Sequence, residues 1–324
     1  MDIGGNTYHS GDCIEGARRH LAGGSVDLIV TDPPYGIEGD TLHKHYNRSE
    51  DFVVDGYVEV PAAEYGDFTH AWVQEAARAL RPNGSIYIVS GYTNLYHILD
   101  ALRATDLREV NHIVWKYNFG VHTRRKYISS HYHILYYERP GPGRRTFNGN
   151  VRFGPQEKDD GGGSLNYQDR EDVWVINREY KPGRRKNKNE LPTELLVKMV
   201  QYSSRPGDLV CDLFMGGFST ARVAVGLDRR FVGFEVSEPI FAEGVRRMEG
   251  VEPGGLLDSS RAPKDDILIN QGKRWTKDET MVLLARYNDL REDGHTKGSA
   301  IQELTGEFGR GRFAIANVLR GHGH

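Results

Sequence analysis

Short apolar runs alternating with stretches of helical spacing constrain this chain more than any other feature. Val26 to Thr31 (VDLIVT) has the length of a buried strand and stops at Asp32-Pro33-Pro34-Tyr35. Phe68 to Leu80 repeats apolar residues at helical spacing, with Trp72, Ala76, Ala79 and Leu80 on one side. Pro82-Asn83-Gly84 then breaks the pattern before a strand from Ser85 to Val89. Leu95 to Leu102 reads as helix, and Ile113 to Trp115 and Ile134 to Tyr137 read as strands. The alternation returns with Thr193 to Ser203, Leu209 to Leu213, Ser219 to Val225 and Phe231 to Glu235. Such a sequence predicts an α/β fold, a doubly wound, Rossmann-like sheet with parallel core strands.

The 324 residues suit one large domain and a smaller module. Residues 1–138 carry the first half of the large domain and 190–249 the second. Between them, 139–189 is rich in Gly, Arg, Asn and Asp, as expected of a loop-rich recognition insertion on a rigid sheet. Residues 250–263 read as a linker, and 264–324 as three short helices. No run of 18 apolar residues occurs, and no basic stretch followed by an apolar one opens the chain. Neither a membrane span nor a secretory signal is therefore expected. Cys13 and Cys211, far apart, make neither a disulfide framework nor a metal site, which points to a reducing cytoplasm.

A net charge of -3 hides an uneven distribution. From Asn111 to Gln156, Lys116, Arg124, Arg125, Lys126, Arg139, Arg144, Arg145 and Arg152 face a single acid, Glu138. A second run holds Arg178, Lys181, Arg184, Arg185, Lys186 and Lys188. Trp115, Tyr117, Phe119, Tyr127, Tyr132, Tyr136, Tyr137, Phe147 and Phe153 interleave with the first cluster. Cations for phosphates mixed with rings for bases suit a nucleic-acid surface, while a solvated face over core aromatics is the plainer alternative. Lys116, Arg124, Arg125, Lys126, Arg144, Arg145, Arg184, Arg185 and Lys186 are the candidate nucleic-acid contacts.

Asp208 to Glu235 forms a strand, glycine loop, helix and strand unit. Gly216-Gly217 lets the chain turn tightly after Asp212, and Glu235 could accept hydrogen bonds from ribose hydroxyls at the strand ends. A glycine pair also occurs for packing alone, so the unit as a whole, with its terminal acid, carries the expectation of a nucleoside-containing cofactor. The loop lacks the G-x-G-x-x-G pattern of a dinucleotide site.

Asp32-Pro33-Pro34-Tyr35 is either a rigid turn with a local cap or a site for amino methylation. An exocyclic amine is a poor nucleophile because its lone pair is delocalised into the ring. Acceptors for both of its N–H groups stabilise the charge that develops as nitrogen attacks a sulfonium methyl. The Asp32 carboxylate and the Pro33 carbonyl could be those acceptors, with Pro33 and Pro34 fixing the backbone. Tyr35 could stack on a base swung out of the duplex.

At this point a resemblance becomes specific. The chain resembles the β-class of permuted S-adenosylmethionine (SAM)-dependent DNA amino-methyltransferases, in which the D-P-P-Y block precedes the cofactor block. Ser10-Gly11-Asp12-Cys13 is similar to the family's opening GDC element, and 32–36 to its catalytic block. Asn187 to Val200 resembles the segment lining the methionine end of SAM. Asp212 to Ala221 resembles DPFxGSGTTA, and Phe231 to Pro239 resembles the later FxGxExxxE/DP element. The resemblance implies SAM as cofactor, held by Asp12, Cys13, Asp32, Leu191, Pro192, Thr193, Asp212, Phe214, Gly216, Gly217, Ser219, Thr220, Glu235 and Val236. It implies Asp32, Pro33, Pro34 and Tyr35 as catalytic residues, adenine N6 in double-stranded DNA as target, and a nucleoid-associated place in a bacterial, archaeal or phage setting. A homodimer and a cognate restriction endonuclease are compatible partners.

Four residues depart from the family pattern. Leu213 replaces a proline, Asn187-Lys188 replace a His-Pro pair, and Phe218 stands where a glycine is usual, where it could crowd the cofactor loop. N4-cytosine methylation and a DNA-binding regulator on an inactive fold remain alternatives, with RNA or protein substrates further off because their enzymes usually open the block with Asn. Around Trp275, the last segment loosely resembles a Myb-like or helix-turn-helix trihelical unit, with capping-box spacing at Thr276–Glu279 and Ser299–Gln302. Its charge is nearly balanced, so packing or dimerisation competes with DNA contact.

Overall fold

The computed structural model describes residues 1–36, 60–118, 120, 122, 124–179, 190–257, 270 and 274–324. They fall into two compact units, Met1–Ala262 and Pro263–His324. In the first unit the chain runs β1 (Asp2–Ile3), β2 (Asn6–Ser10), α1 (Cys13–His20), β3 (Val26–Thr31), α2 (Tyr65–Ala79), β4 (Leu80–Ser90) and α3 (Leu95–Arg103). It continues through β5 (Arg108–Lys116), β6 (His131–Glu138), α4 (Leu165–Asp169), β7 (Val173–Val175), α5 (Thr193–Ser203), β8 (Leu209–Asp212), α6 (Ser219–Gly226), β9 (Arg230–Glu235) and α7 (Glu238–Met248). The strands form one sheet in the order β1-β2-β9-β8-β3-β4-β6-β5-β7.

Helices cover both faces of the sheet, as the alternation predicts. Leu28, Ile113, Ile134 and Val210 pack under α5, α6 and α7 through Leu195, Met199, Ala221 and Met248. On the other face Ile29, Ile86, Ile88 and Cys211 pack under α1, α2 and α3 through Ala17, Trp72, Ala76 and Ile98. Strands buried on both faces read as continuous apolar runs, which is why β3 and β8 were visible as such.

Parallel pairing holds for β2, β9, β8, β3 and β4. It does not hold throughout: β6 is antiparallel to both β4 and β5, and β1 to β2. The Pro82-Asn83-Gly84 break lies inside β4, where the register with β3 slips between Val26–Leu80 and Leu28–Ser85. Asn83 turns there at φ 61 and its N–H donates to Arg139 O at 2.8 Å, so the ladder bulges and resumes.

The expected boundaries at 138, 189 and 249 lie within the first unit. Described residues of 139–189 join the same core: β7 pairs with β5, and Trp174 and Ile176 are buried. Residues 251–257 are likewise held, with Gly254 N donating to Val225 O and Leu256 N to Gly226 O. No described helix is long and apolar enough to cross a membrane.

The second unit contains α8 (Lys277–Glu292), α9 (Lys297–Phe308) and α10 (Arg312–Gly321) around Leu283, Tyr287, Leu304, Ile315 and Leu319. The capping box at Thr276 forms, with Thr276 Oγ1 accepting from Glu279 N at 3.1 Å. Ser299 is not a cap: α9 starts two residues earlier, because Thr296 accepts from Ser299 N at 3.2 Å. Trp275 packs against this core with the Arg310 guanidinium 4.2 Å above its ring, and Arg310 is held by Glu279.

Candidate active site

The parallel strands deliver their carboxyl ends to one edge. Ser10 pairs with Glu235, Asp212 with Gly233, Cys211 with Ile29, and Thr31 with Ile88. From β3 the chain proceeds to β4 on one side, and from the adjacent β8 to β9 on the other. The gap between β3 and β8 is therefore a topological switch point, where open α/β sheets bind ligands. Asp32 follows β3 and Asp212 ends β8, so the two blocks separated by 180 positions share one cleft.

A direct hydrogen bond joins them. Thr31 Oγ1 donates to Asp212 Oδ1 at 2.9 Å, and Phe214 N donates to the same oxygen at 3.0 Å. Burial pushes the Asp212 carboxyl up to about 6, opposed by hydrogen bonds from Thr220, Phe214 and Thr31. Asp32 is pushed up to about 7, chiefly by desolvation and further by the Asp212 charge, against a lowering pull from the Tyr35 hydroxyl and Arg178. Two acids raised towards neutrality in one cleft mark a functional site.

Tyr35 Oη donates to Asp32 Oδ1 at 2.7 Å, and the Tyr35 ring stacks on Tyr132 with centroids 5.7 Å apart. The rest of the block is pinned from α2 and the start of α3. Tyr65 Oη donates to Pro34 O at 2.9 Å, while Asn94 Nδ2 donates to Tyr35 O at 2.6 Å and Gly36 O at 3.1 Å. Gly36 sits at φ +62 with Tyr65 so close that a Cβ would lie 2.5 Å from its ring. The Pro33 carbonyl receives no hydrogen bond from the described residues. Next in the chain to Asp32, it could accept an N–H.

The cofactor side is built from backbone. Glu235 Oε2 accepts from Gly216 N at 2.9 Å and Oε1 from Ser237 N at 2.8 Å, which fixes the glycine loop to the end of β9. Each oxygen keeps a further lone pair that could accept from a ligand hydroxyl. Asp12 Oδ1 accepts from Ile14 N and Glu15 N, each at 2.9 Å, and so caps α1 at the mouth of the same edge. Cys13 beside it is buried, and burial raises its thiol far above the usual range. Leu191, Pro192 and Thr193 open α5, with Thr193 N donating to Glu179 Oε1 at 2.6 Å. Gly217 is buried and Ser219 begins α6, while Val236 is 52% exposed past β9. Phe214 turns inward instead, packing on Phe68 and Trp72.

Phe218 does not crowd the loop. Its backbone takes the left-handed conformation, φ 63, that a glycine would favour, and its ring is fully buried. The ring stacks on Tyr8 at 5.3 Å and meets Phe241 edge-on, inside the core.

The basic residues divide. Lys116, Arg124, Arg125 and Lys126 are exposed at the β5–β6 end of the active-site edge, with Tyr127 99% exposed beside them. Arg144 and Arg145 lie beyond the opposite end of β6. Arg145 pairs with Glu138 at 3.1 Å and covers the Tyr136 and Phe147 rings, so it is not a free cation. Arg152 is buried against Asp169 at 3.0 Å. Arg184, Arg185 and Lys186 lie outside the described residues, as do Asn187 and Lys188. Thr31, Tyr65, Asn94, Tyr132 and Arg178 complete the site without a motif to announce them. Thr31 ends β3, Tyr65 opens α2 and Asn94 is the N-cap of α3, while Tyr132 and Arg178 were marked only as members of the basic and aromatic clusters.

Comparison with known proteins agrees with this geometry. The chain is 27% identical over 263 residues to the type II methyltransferase M.HinfI of Haemophilus influenzae, covering 76% of this chain and 69% of that one. It is 28% identical over 236 residues to the type II methyltransferase M.HpaI of Haemophilus parainfluenzae, covering 72% and 71%. The fold matches M1.HpyAVI solved with SAM (TM-score 0.53, 20% identity, 75% and 98% covered). It also matches the PvuII cytosine-N4-specific DNA methyltransferase (TM-score 0.56, 13% identity, 79% and 94% covered). Residues 26–245 match the profile of the N6/N4 DNA methylase family, and on that match across more than half its length the chain belongs to this family of SAM-dependent DNA methyltransferases.

Proposed function

We propose that the protein transfers the methyl group of SAM to N6 of an adenine extruded from duplex DNA. The observation that carries this reading is the pairing of two acceptors, the Asp32 carboxylate and the unengaged Pro33 carbonyl, one hydrogen bond away from the Asp212 loop. The target amine displaces the Tyr35 hydroxyl from Asp32 and donates one N–H to each acceptor. Its lone pair then turns out of conjugation and attacks the sulfonium methyl; the C–S bond breaks and S-adenosylhomocysteine leaves. Nitrogen carries the developing positive charge next to a carboxylate in a partly desolvated site, where stabilisation is strongest. The proton released from nitrogen passes to solvent, directly or by way of Asp32. The Tyr35 ring supports the flipped base.

Glu235 and the Gly216-Gly217 turn hold the ribose and amino-acid ends of SAM, with Asp12 and Val236 at the adenine end. Exposed Lys116, Arg124, Arg125 and Lys126 contact phosphates beside the cleft, and Arg144 lies farther along the duplex. Descent alongside type II methyltransferases supports pairing with a restriction endonuclease in a cytoplasmic host.

Tritiated SAM and duplex DNA should label the DNA, and Asp32→Ala should abolish the label. Nucleoside digestion and mass spectrometry should then find N6-methyladenine. N4-methylcytosine in its place would transfer the same chemistry to the other base, and label persisting in Asp32→Ala would sink the assigned acceptor.

A further inference from the structure

Arg178 stands two residues past the buried Ile176, whose N–H donates to Lys116 O at 3.1 Å and whose carbonyl accepts from Trp115 Nε1 at 2.9 Å. These bonds fix the segment after β7 to the end of β5, at the active-site edge. The guanidinium lies 4.7 Å from the Tyr117 ring centroid, 5.3 Å from Tyr132 and 5.8 Å from Trp115. Tyr132 is the ring that stacks on Tyr35, and Tyr35 is bonded to Asp32. Arg178 is thus the cation of the wall that runs from the catalytic carboxylate through two tyrosines. Its Nε–H is buried and finds no acceptor.

A buried guanidinium donor without a partner is a standing cost that native proteins rarely keep without a use. The aromatic rings cover the flat face of the group but offer no acceptor to the N–H donors at its edge. Asp212 is paired with Thr31 and Asp32 with Tyr35, and no described acceptor of the cleft serves the Arg178 Nε–H.

We propose that Arg178 is a target-nucleotide binding residue, its Nε–H completed by a hydrogen-bond acceptor that the extruded nucleotide brings into the site. The inference rests on the methylation reading above. Two acceptors of that nucleotide have the right chemistry: a flanking phosphate oxygen, matched to the guanidinium fork, and the ring nitrogen N7 of adenine. Placing the cation there has a second effect in the same direction, since its charge favours the ionised form of Asp32.

The experiment is a cycle between protein and substrate. Wild type, Arg178→Met and Arg178→Lys are assayed on a duplex holding the methylated site in three forms: unmodified, with a methylphosphonate at a phosphate flanking the target, and with 7-deazaadenine as target. On unmodified DNA, Arg178→Met should lower kcat/KM by about 10- to 100-fold, with SAM affinity by calorimetry unchanged. One modified duplex should reduce wild type to a similar level while costing Arg178→Met little more. Coupling to the methylphosphonate assigns the phosphate, and coupling to 7-deazaadenine assigns the base. Arg178→Lys, which keeps the charge over the rings without the fork, should fall between and serves the cycle if the methionine variant does not fold. Equal losses from both modifications in wild type and variants would overturn the proposal, as would an Arg178→Lys whose SAM affinity and melting temperature fall with its activity. Wild type inactive on every duplex would instead sink the methylation reading itself.

Discussion

Replacing Asp32 by asparagine separates two properties that the fold combines in one side chain. Burial raises its carboxyl from 3.8 to about 7, so the folded protein binds that proton more tightly than the unfolded chain does. The linkage sign is the reverse of an ion-paired acid. Stability is lost as pH rises from about 4 to about 7, because ionising the group in the folded state is unfavourable. A shift of that size corresponds to about 4 kcal/mol for a fully desolvated group. Asp32 keeps partial solvent contact, which reduces the observable share to about 1–2 kcal/mol. Asparagine has nothing to ionise. At pH 8, without ligands, Asp32→Asn should therefore melt about 2–6 °C above wild type, and the difference should vanish near pH 4. Activity moves the other way. Wild-type kcat/KM should fall about tenfold between pH 8 and pH 6, since only the carboxylate accepts the amine in its charged form. The SAM sulfonium pulls the same ionisation to lower pH, so the acid limb of kcat should lie below that of kcat/KM. Calorimetric melting across pH and initial rates with duplex DNA test both halves. A pH-independent kcat/KM from 6 to 8, or an Asp32→Asn protein less stable than wild type at pH 8, refutes burial as the source.

Three further outcomes follow from the packing and charge. Tyr35→Phe removes the hydroxyl that lowers the Asp32 ionisation while keeping the ring on Tyr132, so the acid limb of kcat/KM should move up in pH; an unchanged limb contradicts the hydrogen bond. Arg124→Ala and Arg125→Ala should each flatten the slope of log K against log salt by about 0.9 on duplex DNA. Arg145→Ala, its cation already paired with Glu138, should leave that slope unchanged and lower the melting temperature instead. In the second unit, Arg310→Met leaves Glu279 without its buried partner and should cost about 3–5 kcal/mol, seen by calorimetry as a lower-melting transition.

The elements legible in the sequence are those whose burial is two-sided or whose helical spacing is long. β3, β8 and β9 fall where apolar runs stop at an acid, and α5 and α6 begin after Pro192 and the Gly216-Gly217 turn, because the turn chemistry and the pattern agree. β7 was not legible: Trp174 alone points inward, while Val173 and Val175 are 50% and 70% exposed. Nor was α1, whose start at Asp12 was read as a cofactor element although the same carboxylate also caps a helix. β6 was legible as a strand but its antiparallel direction was not, because orientation leaves no mark on a run as apolar as ILYY. At the site, contiguous blocks were readable and the residues contributed singly by distant elements were not. Asn94 and Tyr65 act through backbone carbonyls, which no side-chain motif encodes. Arg145 and Arg152 failed in the opposite direction, since clustering in sequence does not say which cations the fold turns inward.

Phe218 carries an implication for the family's history. A Cβ on Gly244 would sit 2.1 Å from the Phe218 ring, so the ring is tolerable only while position 244 is glycine. The ring also accepts a backbone shape that most side chains avoid, a penalty of about 1–2 kcal/mol that its contacts with Tyr8 and Phe241 offset. Substitution at these two positions should therefore be epistatic. Lineages with an aromatic at the first should retain glycine at the second, while those with glycine at the first are released to drift at the second. A side chain on α7 at position 244 should be accepted only after the ring at 218 has gone.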